Sequence, residues 1–325
     1  MATYKGIRGV TIPTVDGDPG TIQLGELWYN SSTRALRVGQ TTAAAWASGG
    51  NLNTARHSSM GAGNQTAGLA AGGLGGDWLD DTETYDGTSW TEVNDLNQQR
   101  GYLGGCGTQT AALAAGGHYH PVNNPTTTLS EEFNGTSWTE GNNLNEARYA
   151  LQGCGLQTAG LIAGGITTTA VSAKTEEYDG SSWTEGGDMN NTANMYRAPF
   201  GTQTASVASG GAPPDAATAN VEEYDGSSWT EVTNLPAARS NHFSFGILTA
   251  GVVGTGYSPG RVATVFTYDG TSWAASTNYP LSGRNLTGTG TQALGLAWGG
   301  NTPPIVATTG EFTGEHAAAA TVTSS

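Results

Sequence analysis

The hydrophobic residues of the chain fall in short runs, and none of these runs has the 3.6-residue period of an amphipathic helix. One such run, TAALAAGG at residues 110–117, is small and apolar at every position. That pattern is typical of a strand buried on both faces. Polar turn sequences separate the runs, so the pattern predicts an all-β protein in which small side chains let sheets approach closely.

A unit of 44 to 48 residues is repeated along the chain, and a tryptophan marks each copy: Trp46, Trp90, Trp138, Trp183, Trp229 and Trp273. In five copies an aromatic residue and an Asp-Gly or Asn-Gly pair precede the tryptophan, as in YDGSSW at residues 224–229. Such pairs are strong signals for hairpins because type I′ turns need positive φ. A period of this length indicates a repeat architecture.

Each unit continues with a polar stretch, a small-residue strand and an apolar strand, which ends in paired glycines in every copy except the fifth, where Thr255-Gly256 stands. The polar stretch ends in an arginine in five copies, and Asn194 stands there in the sixth; the arginines are Arg56, Arg100, Arg148, Arg239 and Arg284. Each unit therefore contains four short strands. Radial repetition of four-stranded sheets makes a β-propeller.

An arginine-led strand, a strand ending in Gly-Gly, a tyrosine strand and a tryptophan strand, in this order, resemble the kelch repeat. The resemblance covers about residues 40–314, although Asp-Gly stands where many kelch units have Asp-Pro. It implies a β-propeller of four-stranded antiparallel blades, and the six strands of the Gly-Gly type predict six blades. We interpret the repeated arginines and tryptophans as residues that hold the blades together.

The two ends of the repeat complement each other. Trp46 has no Gly-Gly strand before it, and the last blade has no tryptophan after Glu311-Phe312. We therefore expect a strand near residues 43–47 to complete the last blade and close the ring, which removes open sheet edges. This gives a propeller over residues 41–314, an N-terminal attachment segment over residues 1–40 and a loose C-terminal tail over residues 315–325.

The N-terminal segment contains a predicted hairpin at residues 25–38. Its Gly-x-Leu-aromatic-Tyr-Asn strand resembles a short element of bacteriophage fibre and virion proteins. The Ala-, Gly- and Thr-rich, lysine-poor composition is also similar to that of kelch-like structural proteins of marine phages. The resemblance implies a location in the virion, at the particle surface or tail, with other virion proteins bound through Trp28, Tyr29 and Asn30.

Charge and cysteine content narrow the range of partners. The chain has 12 Lys and Arg against 27 Asp and Glu, a net charge of −15. This argues against nucleic acid, whose binding depends on neutralising phosphates, and against an anionic membrane surface. No apolar run approaches the roughly 18 residues of a membrane-spanning helix. Two cysteines, Cys106 and Cys154, exclude a disulfide framework.

No arrangement of residues predicts an enzyme. The GxSxG, HExxH, P-loop and paired CxxC patterns do not occur. Carboxylates recur beside the repeat aromatic, as Glu83, Glu132, Glu177 and Glu223, but residues repeated in every blade are expected to be structural. A copper radical oxidase on a kelch scaffold would need a Tyr–Cys–His site, which is not evident. We expect no catalytic residue, no metal and no cofactor.

The loops after the paired glycines differ in length and composition, and variable loops on a rigid scaffold are where binding usually occurs. The candidate ligand-binding residues in these loops are Asp77, Trp78, Asp80, His118, Tyr119, His120, Tyr257 and Arg261. Exposed aromatics beside carboxylates and amides suit a sugar.

The leading hypothesis is a non-enzymatic virion protein, a fibre, spike or decoration subunit. Its N-terminus would attach it to the particle, and its propeller would bind a host-surface glycan or protein. The alternative is a cellular or secreted kelch-type binding domain without a virion role. The sequence shows no heptads and leaves the oligomeric state open, a homo-oligomer included.

Overall fold

The computed structural model describes residues 12–119, 126–191, 196–212 and 216–322. The chain forms two compact units, one of residues 1–45 with 314–325 and the other of residues 46–313. The described residues contain strands and no helix, and therefore no helix that could cross a membrane.

The smaller unit is a four-stranded sheet. In sheet order its strands are β1 (Thr14–Val15), β2 (Leu27–Asn30), β3 (Ala35–Thr42) and β30 (His316–Thr321). The predicted hairpin is β2–β3, in which Asn30 pairs with Ala35. The sequence analysis expects a loose tail at residues 315–325, but β30 instead pairs with six residues of β3. Four consecutive alanines show no alternation of polar and apolar residues, so the pattern carried no strand signal.

The larger unit has six four-stranded antiparallel sheets, or blades, each in the order innermost to outermost strand. Blade 1 contains β5 (Met60–Asn64), β6 (Ala67–Leu74), β7 (Trp78–Tyr85) and β8 (Trp90–Val93). Blade 2 contains β10 (Gly104–Thr108), β11 (Ala111–Ala115), β13 (Ser130–Phe133) and β14 (Trp138–Glu140). Blade 3 contains β15 (Gln152–Leu156), β16 (Ala159–Ala163), β17 (Thr175–Tyr178) and β18 (Trp183–Glu185).

Blade 4 contains β19 (Ala198–Thr202), β20 (Ala205–Ser209), β21 (Val221–Tyr224) and β22 (Trp229–Val232). Blade 5 contains β23 (Phe243–Ile247), β24 (Ala250–Gly254), β25 (Val265–Tyr268) and β26 (Trp273–Ser276). Blade 6 contains β27 (Thr287–Gly290), β28 (Leu294–Trp298), β29 (Thr309–Thr313) and, outermost, β4 (Ala45–Ser48). A separate two-stranded ladder joins β9 (Arg100–Gly101) to β12 (His118–Tyr119).

The innermost strands pack side by side around an axis, and β27 packs against β5, so the six blades close into a ring. This is a six-bladed β-propeller, as predicted. The strand that completes blade 6 comes from the N-terminal side of the repeat, because β4 lies beside β29. Antiparallel order places the Gln-Thr and Asp-Gly turns at one end of the axis, here called the turn end. The crossings between blades and the loops after Gly-Gly lie at the other end, called the ring end.

Repeated side chains connect each blade to the one before it. The indole Nε1 of Trp138 donates to Thr82 Oγ1, and the equivalent bonds run from Trp90 to Thr309, from Trp183 to Ser130 and from Trp229 to Thr175. A glutamine in the first turn of five blades donates to two carbonyls of the preceding blade; these are Gln65, Gln109, Gln157, Gln203 and Gln292. These contacts fix neighbouring blades relative to each other.

The recurring carboxylates belong to two different sets. Glu83 is equivalent to Glu131, Glu176 and Glu222, which are buried and form ion pairs with arginines inside their own blades. Glu132, Glu177 and Glu223 instead accept hydrogen bonds from the hydroxyls of Tyr178, Tyr224 and Tyr268 in the next blade. The interpretation of these carboxylates as structural therefore has two distinct physical bases, one within a blade and one between blades.

Four buried arginines pair with the first set at 2.6–2.7 Å: Arg56, Arg100, Arg148 and Arg197. In each pair an asparagine from the crossing also donates its backbone N–H to the same carboxylate, as Asn145 does to Glu176 at 2.7 Å. The repeat predicts the arginine of blade 4 at position 194. Asn194 stands there and lies outside the described residues. Arg197 provides the guanidinium there.

Candidate functional site

Six residues at the ring end form a closed chain of backbone hydrogen bonds around the axis. They are Ser58, Tyr102, Ala150, Tyr196, Asn241 and Asn285, one from each blade, and together they are called the axial ring. Each donates its N–H to the carbonyl of its counterpart in the preceding blade at 2.7–3.2 Å, and Ser58 donates to Asn285.

All six residues of the axial ring have φ between 54° and 58°, although none is glycine. A non-glycine residue in this region is strained, and such strain persists where the surrounding structure enforces it. Here the six inter-blade hydrogen bonds enforce it. The axial ring is therefore a rigid platform that presents a different side chain from each blade.

Aromatic side chains gather on one side of the axial ring. The aromatic cluster consists of His57, Trp78, Tyr102, His118, Tyr149 and Tyr196, contributed by the first four blades. Tyr102 is at its centre, with ring centroids 6.1 Å from Tyr196 and 6.4 Å from both Trp78 and Tyr149. All members except the buried His57 are half-buried. The cluster therefore presents several aromatic surfaces close to the axis.

Both histidines of the aromatic cluster are held in the neutral form. Burial lowers the pKa of His118 to about 4. Burial, and then the nearby charge of Arg284, lowers the pKa of His57 to about 4. The His118 ring stacks on Tyr149 with centroids 3.5 Å apart, and its buried Nε2 has no hydrogen-bond partner among the residues that the structure describes. At neutral pH this side of the axial ring is therefore aromatic and uncharged.

The other side of the axial ring is polar. Ser58, Asn241 and Asn285 line a cleft of about 30 Å³ together with Tyr102 and Tyr196. A cleft of this size is suited to water or a small substituent, so we expect a sugar or a peptide to remain outside the axis. It would lie across the mouth instead, with aromatic faces on one side and amides and a hydroxyl on the other. This combination of apolar faces and a few placed polar groups is typical of small-molecule sites.

The structure brings the predicted ligand-binding residues together in two places, one around Trp78 and His118 and one around Tyr257 and Arg261, which form a β-bridge. Trp78 and His118 lie 5.7 Å apart in the aromatic cluster. Asp77 is exposed and accepts the backbone N–H of Trp78, while Asp80 accepts the backbone N–H of Leu96 through its carbonyl. Tyr119 pairs with Arg100 in the two-stranded ladder. His120 lies outside the described residues.

Tyr257 and Arg261 lie in the loop of blade 5. The Arg261 side chain donates from Nε and Nη2 to the carbonyl and the side chain of Asn301, both at 2.9 Å, and so connects the loops of blades 5 and 6. The Tyr257 ring is 41% exposed, and the guanidinium of Arg284 lies 5.8 Å from its centre.

Tyr102, Tyr149 and Tyr196 were missed by the sequence analysis, and His57 was not among its candidate residues. Each lies one or two positions after the repeat arginine or its equivalent. A signal was present, because this short segment varies between units while the arginine recurs. The longer loops after Gly-Gly differ more between units, and this larger variation hides that of the segment after the arginine.

The predicted attachment residues have unequal access to a partner. Trp28 is fully buried and donates to Asp18, and Asn30 is buried and donates to the same carboxylate oxygen at 2.7 Å. Tyr29 is 38% exposed. Trp28 and Asn30 therefore shape the small sheet, and only Tyr29 among the three offers a large exposed surface.

The turn end of the axis has a different character. Three residues from each innermost strand surround a space of about 150 Å³, and most of these residues are glycines. Cys106 and Cys154 belong to this wall as free, buried thiols whose pKa burial raises. A thiol held in its protonated form is a poor nucleophile and metal ligand. The described residues contain no cluster of three His, Cys, Asp or Glu side chains placed to hold a metal.

The sequence matches no protein-family model, and it has no significant similarity to a curated protein. Solved structures do match, among them the "Structure of YjhT", which superposes with a TM-score of 0.68 at 12% sequence identity. The match covers 82% of this chain and 99% of that one. The chain has the fold of a kelch-like β-propeller. At this identity the likeness concerns the fold alone.

Proposed function

We propose that this protein is a non-enzymatic binding protein whose ligand, a glycan or a protein segment, lies across the ring end of the propeller. The observation that carries the proposal is the aromatic cluster beside the polar half of the axial ring. A propeller fold suits a binding or structural role. Tyrosine and tryptophan supply large contact areas at low entropic cost, and their polar atoms can still form hydrogen bonds.

A glycan is the ligand that this surface suits best. The apolar C–H face of a sugar ring packs on aromatic side chains, and its hydroxyls pair with amides and hydroxyls such as those of Asn241, Asn285 and Ser58. Because the backbone of the axial ring is held by hydrogen bonds, binding would order few groups that are free beforehand.

We further propose that the protein is a virion subunit, a fibre, spike or decoration protein, that presents this surface to a host cell. The support is the resemblance of residues 25–38 to an element of phage fibre proteins, together with the Ala-, Gly- and Thr-rich, lysine-poor composition of the whole chain. In this proposal the small unit attaches to other virion proteins, with exposed Tyr29 as a contact. The alternative, a cellular or secreted binding domain, has the same ring-end surface without the attachment.

A glycan array with the purified chain tests the binding proposal. Tyr102→Ala and Trp78→Ala should each weaken binding about tenfold or more, as is typical for central aromatic contacts. Leu156→Ala is the control, because Leu156 is exposed at the turn end and should leave binding unchanged. Binding that survives both aromatic changes would show that the ligand lies elsewhere. Detection of the chain in purified particles by mass spectrometry separates the virion proposal from the alternative.

A further inference from the structure

Most described cations of this acidic protein have a carboxylate partner. Arg37, Arg56, Arg100, Arg148, Arg197 and Lys174 all form ion pairs. Within the described part of the chain, four arginines form no ion pair: Arg34, Arg239, Arg261 and Arg284. Arg239 is buried against the Phe266 ring, whereas Arg261 and Arg284 occur together at the loops of blades 5 and 6. The two are called the arginine pair.

Blade 6 cannot hold Arg284 in the way that other blades hold their arginine. The position of the paired glutamate is Gly310, and the leucine of the crossing is replaced by Tyr279. A Cβ on Gly310 would lie 2.6 Å from Cε2 of the buried Tyr279, so the tyrosine occupies the space that a glutamate would need. Pro280 also replaces the asparagine that donates to the carboxylate elsewhere.

Arg284 is consequently placed differently from its counterparts. Arg148, for example, donates from Nη1 to the carbonyls of Gly164 and Lys174 and is fully buried. Arg284 is instead half-buried, and its side chain makes no hydrogen bond to another residue in the described part of the chain. The described residues therefore provide no acceptor for its guanidinium, which is open to a group from outside.

The surroundings of Arg284 place it at the ring end. The next residue, Asn285, belongs to the axial ring, and the Arg284 backbone pairs with Asn301, the residue that also holds the Arg261 side chain. The guanidinium lies 5.8 Å from the centre of the exposed Tyr257 ring. Two arginines, an amide and an exposed aromatic ring thus meet beside the proposed binding surface.

We propose that the arginine pair is an anion-binding site, which takes a carboxylate or sulfate group carried by the ligand. Guanidinium groups bind such oxyanions through directed, charge-assisted hydrogen bonds. This inference rests on the proposed binding function and specifies its ligand as one with an acidic substituent. Arg284, unlike the buried Arg239, is accessible and has no acceptor among the described residues, so it can bind such a group.

The site itself is tested by titrating the protein with sodium sulfate or sodium acetate. Each salt replaces sodium chloride, so that the ionic strength stays constant. The expected result is a saturable shift of the Nε–H NMR signals of Arg261 and Arg284, with signals of Arg56 unchanged. In Arg284→Met the Arg261 shift should become non-saturating. Shifts that are linear and equal for all arginines would overturn the inference, since they indicate only general ionic effects.

Matched oligosaccharides then distinguish the two acidic groups. A sulfated heparin fragment, an oligogalacturonate and a neutral maltooligosaccharide are titrated calorimetrically. We expect one acidic probe to bind, and Arg284→Met to weaken it about tenfold to a hundredfold. Lys174→Met is the control, because Lys174 already has Glu185 as a partner. Equal binding of the neutral probe, unaffected by Arg284→Met, overturns the anion inference and leaves the binding proposal intact.

A rebuilt blade provides a variant that retains Arg284. Tyr279→Leu, Pro280→Asn and Gly310→Glu together recreate the leucine, asparagine and glutamate of blades 1–3. The new glutamate should draw Arg284 into the blade and abolish sulfate binding without unfolding the protein, as judged by thermal melting. Sulfate binding that persists in this folded variant would overturn the inference.

Discussion

The guanidinium carbon of Arg239 lies 4.5 Å from the centre of the Phe266 ring, at the position where four other blades place a glutamate. Nη1 donates to the carbonyls of Thr255 and Thr264, but no carboxylate among the described residues pairs with this buried arginine. Burial lowers the Arg239 pKa to about 10, which leaves the side chain charged at neutral pH. The aromatic face therefore takes the place of an anion, as in a cation–π contact.

The substitution in blade 5 is accompanied by a second one. In blades 1–4 an asparagine of the crossing donates to the glutamate. Blade 5 has Pro236 at the position of this asparagine, and proline has no N–H to donate. Phe266→Glu alone should therefore destabilise the protein, because the buried carboxylate would lack two donors. Adding Pro236→Asn should recover stability. Urea denaturation of both single variants and the double variant gives the coupling energy, which must favour the double variant for this explanation to hold.

The buried pairs of the other blades should be costly to break. Glu131→Leu leaves Arg100 buried without its carboxylate, and we expect a loss of about 3–5 kcal/mol in the free energy of unfolding. Glu185→Leu removes the exposed partner of Lys174 and should cost less than about 1 kcal/mol. Chemical denaturation of the two variants makes the comparison. Equal losses would mean that the buried pair contributes no more than a surface pair.

Acid should destabilise the propeller through its histidines. Burial and the charges of Arg239 and Arg197 hold the pKa of His242 well below its usual value, and the pKa of both His57 and His118 is about 4. In the unfolded chain these groups take up protons near pH 6.5, whereas the folded state does not. The stability they contribute is therefore complete above about pH 6.5 and is lost as pH falls towards 4.

His242→Leu tests this dependence, since leucine stands at the equivalent position in three other blades, as Leu103, Leu151 and Leu286. The variant takes up one proton fewer when it unfolds. The slope of its free energy of unfolding against pH, between pH 6 and pH 5, should therefore be smaller by up to about 1.4 kcal/mol per pH unit. Denaturation at four pH values in this range measures the slope. An unchanged slope would show that His242 is protonated in the folded protein.

Deletion of residues 316–325 should open the small sheet. β30 covers one edge of β3, and its loss exposes the backbone of residues 37–42. Hydrogen exchange of these amides should accelerate, while the innermost strands of the propeller retain their protection. Unchanged exchange at residues 37–42 would mean that β30 does not pair with β3 in solution.

The sequence was most informative where structure depends on local chemistry. Asp225-Gly226 predicts its own turn, and Trp229 recurs at a fixed distance from it, so the blade and the number of blades could be predicted. The six-bladed, all-β architecture is confirmed. Trp78 and His118 could be selected because they lie in variable loops, but their proximity depends on the packing of two blades.

Other features depended on long-range geometry. Tyr102, Tyr149 and Tyr196 meet only because the axial ring brings one segment of each blade to the axis. The repeat predicts the paired arginine of blade 4 at position 194, but Arg197 provides the guanidinium. Because Arg197 lies three residues later, an alignment of the repeats does not identify it. The missing partner of Arg284 could be noticed in the sequence, since proline and glycine replace asparagine and glutamate in the last unit, but its half-buried position could not.

The axial ring also constrains how this protein can change in evolution. Six peptide groups, each hydrogen-bonded to the next in one direction, close on themselves at 2.7–3.2 Å. A seventh repeat gained by duplication, or a repeat lost by deletion, would break this ring of hydrogen bonds. Every residue of the axial ring would then have to move to a new distance from the axis. A substitution at one of the six positions keeps the backbone hydrogen bonds wherever the new residue tolerates positive φ. The side chains displayed at the mouth can therefore be exchanged more easily than the number of repeats.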